Sequence, residues 1–145
     1  MKVYVDMCAL KRPFDNQSQG RIWLESRAVT RVLRAFAAGA FTVCNSSALE
    51  FENSQNPNPR RRARAAALLA SFGRPAPANT VIFQRAAEVR ALGFRDMDAL
   101  HLSFAESAAA DYFVTTDDDV LKQSRTAALK VEVVDPVTLM RMLNL

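Results

Sequence analysis

Residues Arg95 to Leu121 constrain this chain more than any other stretch. They read Arg-Asp-Met-Asp-Ala-Leu-His-Leu-Ser-Phe-Ala-Glu-Ser-Ala-Ala-Ala-Asp-Tyr-Phe-Val-Thr-Thr-Asp-Asp-Asp-Val-Leu. The first half is a helix with almost no polar face: Met97, Ala99, Leu100, Leu102, Phe104, Ala105, Ala108 and Ala109 point all round it. Such a helix belongs in an interior. The second half opens with Tyr112-Phe113-Val114, a short apolar run of the kind a parallel sheet covers on both faces. Asp98 sits in the first turn of the helix, and Asp117 follows Thr115-Thr116 at the end of the strand. A helix that feeds a parallel strand runs antiparallel to it. Its start therefore lies over the edge formed by the strand C-termini, and Asp98 and Asp117 are expected to meet there. Open α/β sheets hold their ligands at that edge.

The rest of the chain repeats the alternation. Lys2 to Val5 is a β-rich segment that stops at Asp6, either turn chemistry or a ligand at the sheet edge. Arg12 to Ser18 is a polar loop. From about Gln19 to Ala38 the pattern is helical. Ile22, Val29, Val32, Leu33 and Phe36 share one face, with Arg21, Glu25, Arg27, Arg31 and Arg34 elsewhere; Gly39 ends it. Trp23 reads as core or interface packing rather than a base-stacking platform. Phe41 to Cys44 is a second strand, and Asn45-Ser46-Ser47 offers helix caps. The helix that follows carries Glu50 and Glu52. Glu50 suits a capping box from Ser47, whereas Glu52 is too far along to cap. Asn56-Pro57-Asn58-Pro59 breaks the chain. A helix then begins with Arg60, Arg61, Arg62 and Arg64. Cations there oppose the helix dipole, which points to water, RNA phosphates or an acidic segment around them. Thr80 to Phe83 is either a short edge strand or the entry to a helix Gln84–Leu92. A short helical piece is expected at Val120–Lys122. Val131 to Val134 is the final strand, and Asp135-Pro136 opens a closing helix. The implied fold is one α/β domain, residues 1–145, with a parallel sheet between helices.

Composition excludes several classes. Half of the 145 residues are hydrophobic, which is incompatible with a disordered chain. The net charge is +4, which tolerates a polyanionic partner without selecting one. Cys8 and Cys44 lack the spacing of a zinc site and read as reduced, buried thiols. The start, Met-Lys-Val-Tyr-Val-Asp, reaches a charge before any signal-peptide core forms. No apolar run reaches about 18 residues. A cytoplasmic protein with no membrane span is expected.

Four acids thus converge on one edge: Asp6, one of Glu50 or Glu52, Asp98 and Asp117, with Asp119 close by. Two carboxylates about 4 Å apart repel by roughly 4 kcal/mol at an effective dielectric near 20. Several together rival a domain's whole stability of about 5–15 kcal/mol. No Arg or Lys falls at the matching positions except Arg95. Protonation could relieve the repulsion, and a divalent cation does so economically. Carboxylate oxygens suit Mg²⁺ or Mn²⁺. Such ions activate water and stabilise both oxygens of an in-line displacement at phosphorus. The basic balance then favours a phosphodiester chain as substrate. His101, one turn beyond Asp98, reads as a packed or supporting residue rather than a general base.

These residues resemble the PIN domains found as toxins in bacterial VapBC toxin–antitoxin pairs. The likeness covers nearly the whole chain. It rests on Val5-Asp6-Met7-Cys8, on Ser46 to Glu52, on Asp98-Ala99-Leu100-His101-Leu102 and on Thr115-Thr116-Asp117. Each motif is weak alone, and the four in order are specific. Met7 departs from the Thr or Ser usual at its position, which would lower metal affinity. The resemblance implies a three-layer α/β/α fold around a parallel sheet of four to five strands. It implies a Mg²⁺- or Mn²⁺-dependent endoribonuclease, with Asp6, Glu52, Asp98 and Asp117 as catalytic metal ligands. The motif spacing prefers Glu52 to Glu50. Thr115 would order the site, and Asp119 would be an occasional fifth acid. A homodimer and a small inhibitory antitoxin are implied too, with Arg60, Arg61, Arg62 and Arg64 as contacts for RNA or antitoxin. Two other classes compete. One is a PIN-fold RNA- or protein-binding module without activity. The other is a phosphorylatable receiver-type switch, which needs a Lys after the last strand, where this chain has Asp135-Pro136.

Overall fold

The computed structural model describes all 145 residues. Four parallel strands form one sheet in the order β2-β1-β3-β4: β1 (Lys2–Val5), β2 (Thr42–Val43), β3 (Tyr112–Val114) and β4 (Glu132–Val134). In β1 the consecutive residues Val3, Tyr4 and Val5 are all buried, as are Phe113 and Val114 in β3. Burial of neighbouring positions, which point to opposite faces, requires cover on both sides of the sheet. The layered α/β/α arrangement expected from the sequence is present, with four strands. The register pairs Val3 with Tyr112 and Val5 with Val114. The Asp6 amide extends this ladder to the Val114 carbonyl at 2.8 Å.

Eight helices surround the sheet: α1 (Met7–Lys11), α2 (Gly20–Ala37), α3 (Ser47–Ser54), α4 (Pro59–Ser71), α5 (Thr80–Ala91), α6 (Asp96–Ser107), α7 (Asp118–Ser124) and α8 (Pro136–Met142). α2 packs on α8, α5 on α6, and α3 on both α4 and α6. Most starts carry a side-chain cap. Ser46 accepts from Leu49 N, Asn58 from Arg60 N and Arg61 N, Asn79 from Ile82 N, and Asp135 from Thr138 N. Each satisfies amides that the first turn leaves free. Gly93 ends α5 at φ +107°, a conformation costly for any residue with a Cβ. The Gln123 side chain closes over it, donating to the Leu92 carbonyl at 2.6 Å.

Several local expectations change. Of the two readings of Thr80–Phe83 the helical one holds: it is the first turn of α5, despite its β-branched residues. The Asn79 cap and the packing of α5 on α6 override local propensity. α1 has no counterpart in the sequence reading, because five residues are too few to show a period. Trp23 is not core: it is 49 % exposed, with the Arg27 guanidinium 5.0 Å from its ring. Glu25, placed with the polar residues of α2, is buried. It is held by Arg12 at 3.1 Å and Arg21 at 3.5 Å. Cys8 and Cys44 are free thiols, each only partly covered.

Candidate metal centre

The strand order reverses direction between β1 and β3. From β1 the chain moves outward to β2, then crosses back to β3 on the other side. Such a switch point leaves a crevice outside the strand C-termini. Asp6 follows β1 and Thr115–Asp117 follow β3, so both borders of the crevice carry acids.

Asp6 is buried and fully engaged. As the cap of α1 it accepts the Met7 amide on Oδ1 at 2.8 Å. Its Oδ2 accepts the Thr115 hydroxyl at 2.9 Å and the Cys8 thiol at 3.3 Å. Thr115 Oγ1 in turn accepts the Asp117 amide at 3.1 Å, so one hydroxyl links the first acid to the last. Burial pushes the Asp6 pKa up. His101 and the Thr115 and Cys8 hydrogen bonds counter that, while Glu52 adds to it. The Met7 side chain lies in the core. The polar contacts that Met7 cannot supply come from Cys8 and Thr115.

His101 is fully buried on α6 between two elements far away in sequence. Its Nε2 lies 2.9 Å from Glu52 Oε1. Its Nδ1 lies 2.7 Å from the Tyr4 hydroxyl, which is 2.7 Å from Ser46 Oγ. With Nε2–H donating to Glu52, a neutral ring accepts from Tyr4, and Tyr4 accepts from Ser46. A protonated ring reverses the chain: Nδ1–H donates to Tyr4 and Tyr4 donates to Ser46 Oγ, whose own proton is then left without an acceptor. Burial alone would lower the His101 pKa. The Glu52 hydrogen bond and the charges of Asp6, Glu52 and Asp98 outweigh it, and the net shift is upward. Donor atoms of Asp6, Glu52 and His101 all lie within 4.8 Å of one another.

Asp98 and Asp117 stand outside that triple. Asp98, in the first turn of α6, is half-buried. Its pKa is pushed up to about 6, first by burial, then by the charges of Asp6 and Asp117. Asp117 caps α7 with Oδ1, accepting the Asp119 amide at 2.9 Å and the Val120 amide at 3.4 Å. Asp98 opens into a depression of about 310 Å³ shared with Arg95, Asp119 and Lys122.

The carboxylates fit a hard divalent cation: Asp6 and Glu52 would hold it through oxygen, while His101 Nε2 is turned to Glu52. Asp98 makes no hydrogen bond or ion pair, and only the charges of His101 and Arg95 nearby ease its repulsion. His101 is a second source of relief within the fold, easing the charge of both Asp6 and Asp98.

Other expected site residues are engaged elsewhere. Glu50 accepts from Asn45 Nδ2 at 3.2 Å. Asp119 pairs with Arg95 at 3.2 Å, both side chains well exposed. Three of the four arginines of α4 find partners within the chain. Arg61 binds Asp15 at 2.7 Å, Arg62 donates to the Asn56 carbonyl at 2.8 Å, and Arg64 lies 5.6 Å from the Phe14 ring. The loop after α1 therefore supplies much of what an outside partner was invoked to provide. Only the Arg60 side chain makes no such contact. Tyr4 has no role in the sequence reading, and Ser46 has only those of a cap and of the start of the Glu52 motif; the cap is present. A hydroxyl in the middle of a buried Val-Tyr-Val strand, which needs a partner inside, was the available signal.

No protein-family model and no curated protein matches this sequence. Solved structures do. A chain of the crystal structure of VapBC2 from Rickettsia felis, bound to a DNA fragment from their promoter, superposes with a TM-score of 0.59 at 13 % identity. It covers 93 % of this chain and 98 % of its own. A chain of FitAB bound to the IR36 DNA fragment gives 0.60 at 14 % identity, covering 93 % and 95 %. At such identities the likeness defines the fold, which is PIN-like over nearly the whole length.

Proposed function

We propose that this chain is a Mg²⁺- or Mn²⁺-dependent endoribonuclease, held inactive by a small cognate antitoxin and working as a homodimer. The observation that carries the reading is the close grouping of Asp6, Glu52 and His101 at the crevice, beside an Asp98 that burial first, and then the charges of Asp6 and Asp117, push up to about 6. Asp6, Glu52, Asp98 and Asp117 are the ligands we assign. When bound, the ion lowers the pKa of a water and neutralises charge at phosphorus. Thr115 fixes Asp6 and Asp117 relative to each other. The Tyr4–His101 pair orients Glu52 and accommodates a proton on the ring. Arg95 and Lys122, beside Asp98, face where a phosphate would enter. The antitoxin assignment is by analogy with VapBC2 and FitAB, each bound to a DNA fragment.

A second reading, a PIN-fold binding module of little activity, draws on one observation. His101 already sits against Glu52 and offers an internal cation in place of a metal. Titration calorimetry with Mn²⁺ separates the two. The nuclease reading expects carboxylate-dependent binding that Asp98→Asn weakens at least tenfold, with loss of RNA cleavage. Intact binding and cleavage in Asp98→Asn and Asp6→Asn would overturn it.

A further inference from the structure

A second feature lies outside the acid crevice, along α2. Trp23, Arg27, Arg31 and Arg34 fall within about 80° of one another at 100° per residue, so they form one stripe. They line an open groove of about 440 Å³ whose rim is Pro13 and Gln17, and no acid borders it. Arg27 and Arg34 make no ion pair, and Arg31 donates only to the Leu145 carbonyl at 3.2 Å. The Arg27 guanidinium lies 5.0 Å from the centre of the exposed Trp23 ring. Cations with no Asp or Glu paired to them, beside an exposed aromatic face, combine the two elements of single-strand recognition. The cations attract phosphates and the ring stacks on a base.

The groove is also tied to the crevice. Arg21, two residues before Trp23, binds Asp118 at 2.7 Å and the Thr116 carbonyl at 3.2 Å. The start of α2 is thereby fastened to the segment that carries Asp117. The Pro13–Gln17 rim follows α1, whose cap is Asp6.

We propose that the α2 groove is a binding track for single-stranded RNA, continuing from the acid crevice, with Arg27, Arg31 and Arg34 on phosphates and Trp23 stacked on a base. This rests on the reading of the chain as acting on RNA, and it assigns where the strand lies beyond the reacting bond. An acidic peptide could satisfy the arginines but has no base for the ring.

Trp23 is the only tryptophan, so its fluorescence reports the contact directly. The experiment titrates the full chain with a labelled 12-mer oligouridylate in EDTA, following anisotropy and Trp23 emission. Without metal, the result is independent of whether the acids cut RNA; Mn²⁺ calorimetry tests that separately. The expected result is binding with quenched emission. Replacing Arg27, Arg31 and Arg34 by Ala lowers the slope of log affinity against log salt by about 2, at roughly 0.7 per phosphate contact. Trp23→Ala costs about fivefold to a hundredfold in affinity, and Trp23→Phe restores most of it. Circular dichroism melts check that each variant remains folded. Unquenched emission on binding, an unchanged salt slope in the triple variant, or equal competition by polyglutamate would each overturn the proposal, the last by making the groove a protein contact.

Discussion

At the scale of single residues, the proton decides the behaviour of the acid crevice. Asp98 titrates near 6 instead of 3.8 because burial and two neighbouring carboxylates disfavour its charge. A carboxyl with a raised folded pKa binds its proton more tightly in the native state. The metal-free protein is therefore favoured below about pH 4 and loses that advantage as pH rises through 4 to 6. His101 acts in the same direction: its pKa is raised, and its contribution is present below about 6.5 and lost as pH rises through its folded value. Melting temperature in EDTA should fall between pH 4 and 7, and Asp98→Asn should flatten the lower part of that fall. Metal binding should run the other way, because ligands must shed protons first. Mn²⁺ affinity by calorimetry should climb by up to tenfold per pH unit below about 6 and level off above. A flat affinity from pH 5 to 7 would remove Asp98 from the ligand set. The sequence made the order of the acids legible, since strand ends and helix starts share an edge. His101 was legible only as a neighbour of Asp98. Its partners Tyr4 and Glu52 lie 97 and 49 residues away, and local pattern carries no trace of them.

At the scale of elements, side-chain caps set the boundaries. α5 is the clearest case, because Thr80-Val81-Ile82-Phe83 would serve equally well as a strand. Asn79 accepts the Ile82 amide at 2.9 Å and commits the segment to helix. Asn79→Ala should cost about 1 kcal/mol in chemical denaturation, and Asn79→Ser should recover most of it. Unchanged stability in the alanine variant would mean that packing on α6 alone fixes the start. The boundaries of β3 and α8 were readable because an apolar triplet and an Asp-Pro pair are strong local signals. Glu25 was misread for the opposite reason. Its burial depends on Arg12, thirteen residues earlier, folding over it. The basic start of α4 illustrates the same limit: its partners sit in the Phe14–Asp15 loop, not in its own helix.

At the scale of the molecule, the fold concentrates repulsion that a ligand can relieve. A metal that binds only the native state should raise stability by mass action, by about 2.7 kcal/mol at a hundredfold excess over Kd. For a domain of this size that corresponds to roughly 5–10 °C in Tm. Mn²⁺ should produce such a shift in differential scanning fluorimetry, and Asp6→Asn should abolish it. No shift at saturating Mn²⁺ would favour the binding-module reading. The sheet order has a further consequence, for the timing of synthesis. The central strand is made first, yet its partner β3 and the hydroxyl that holds Asp6 arrive only at Thr115, 109 residues later. Because a chain emerges N-terminus first, the crevice cannot assemble until most of the polypeptide has left the ribosome. Any chemistry the acids perform is thereby withheld from the growing chain until Thr115 has emerged.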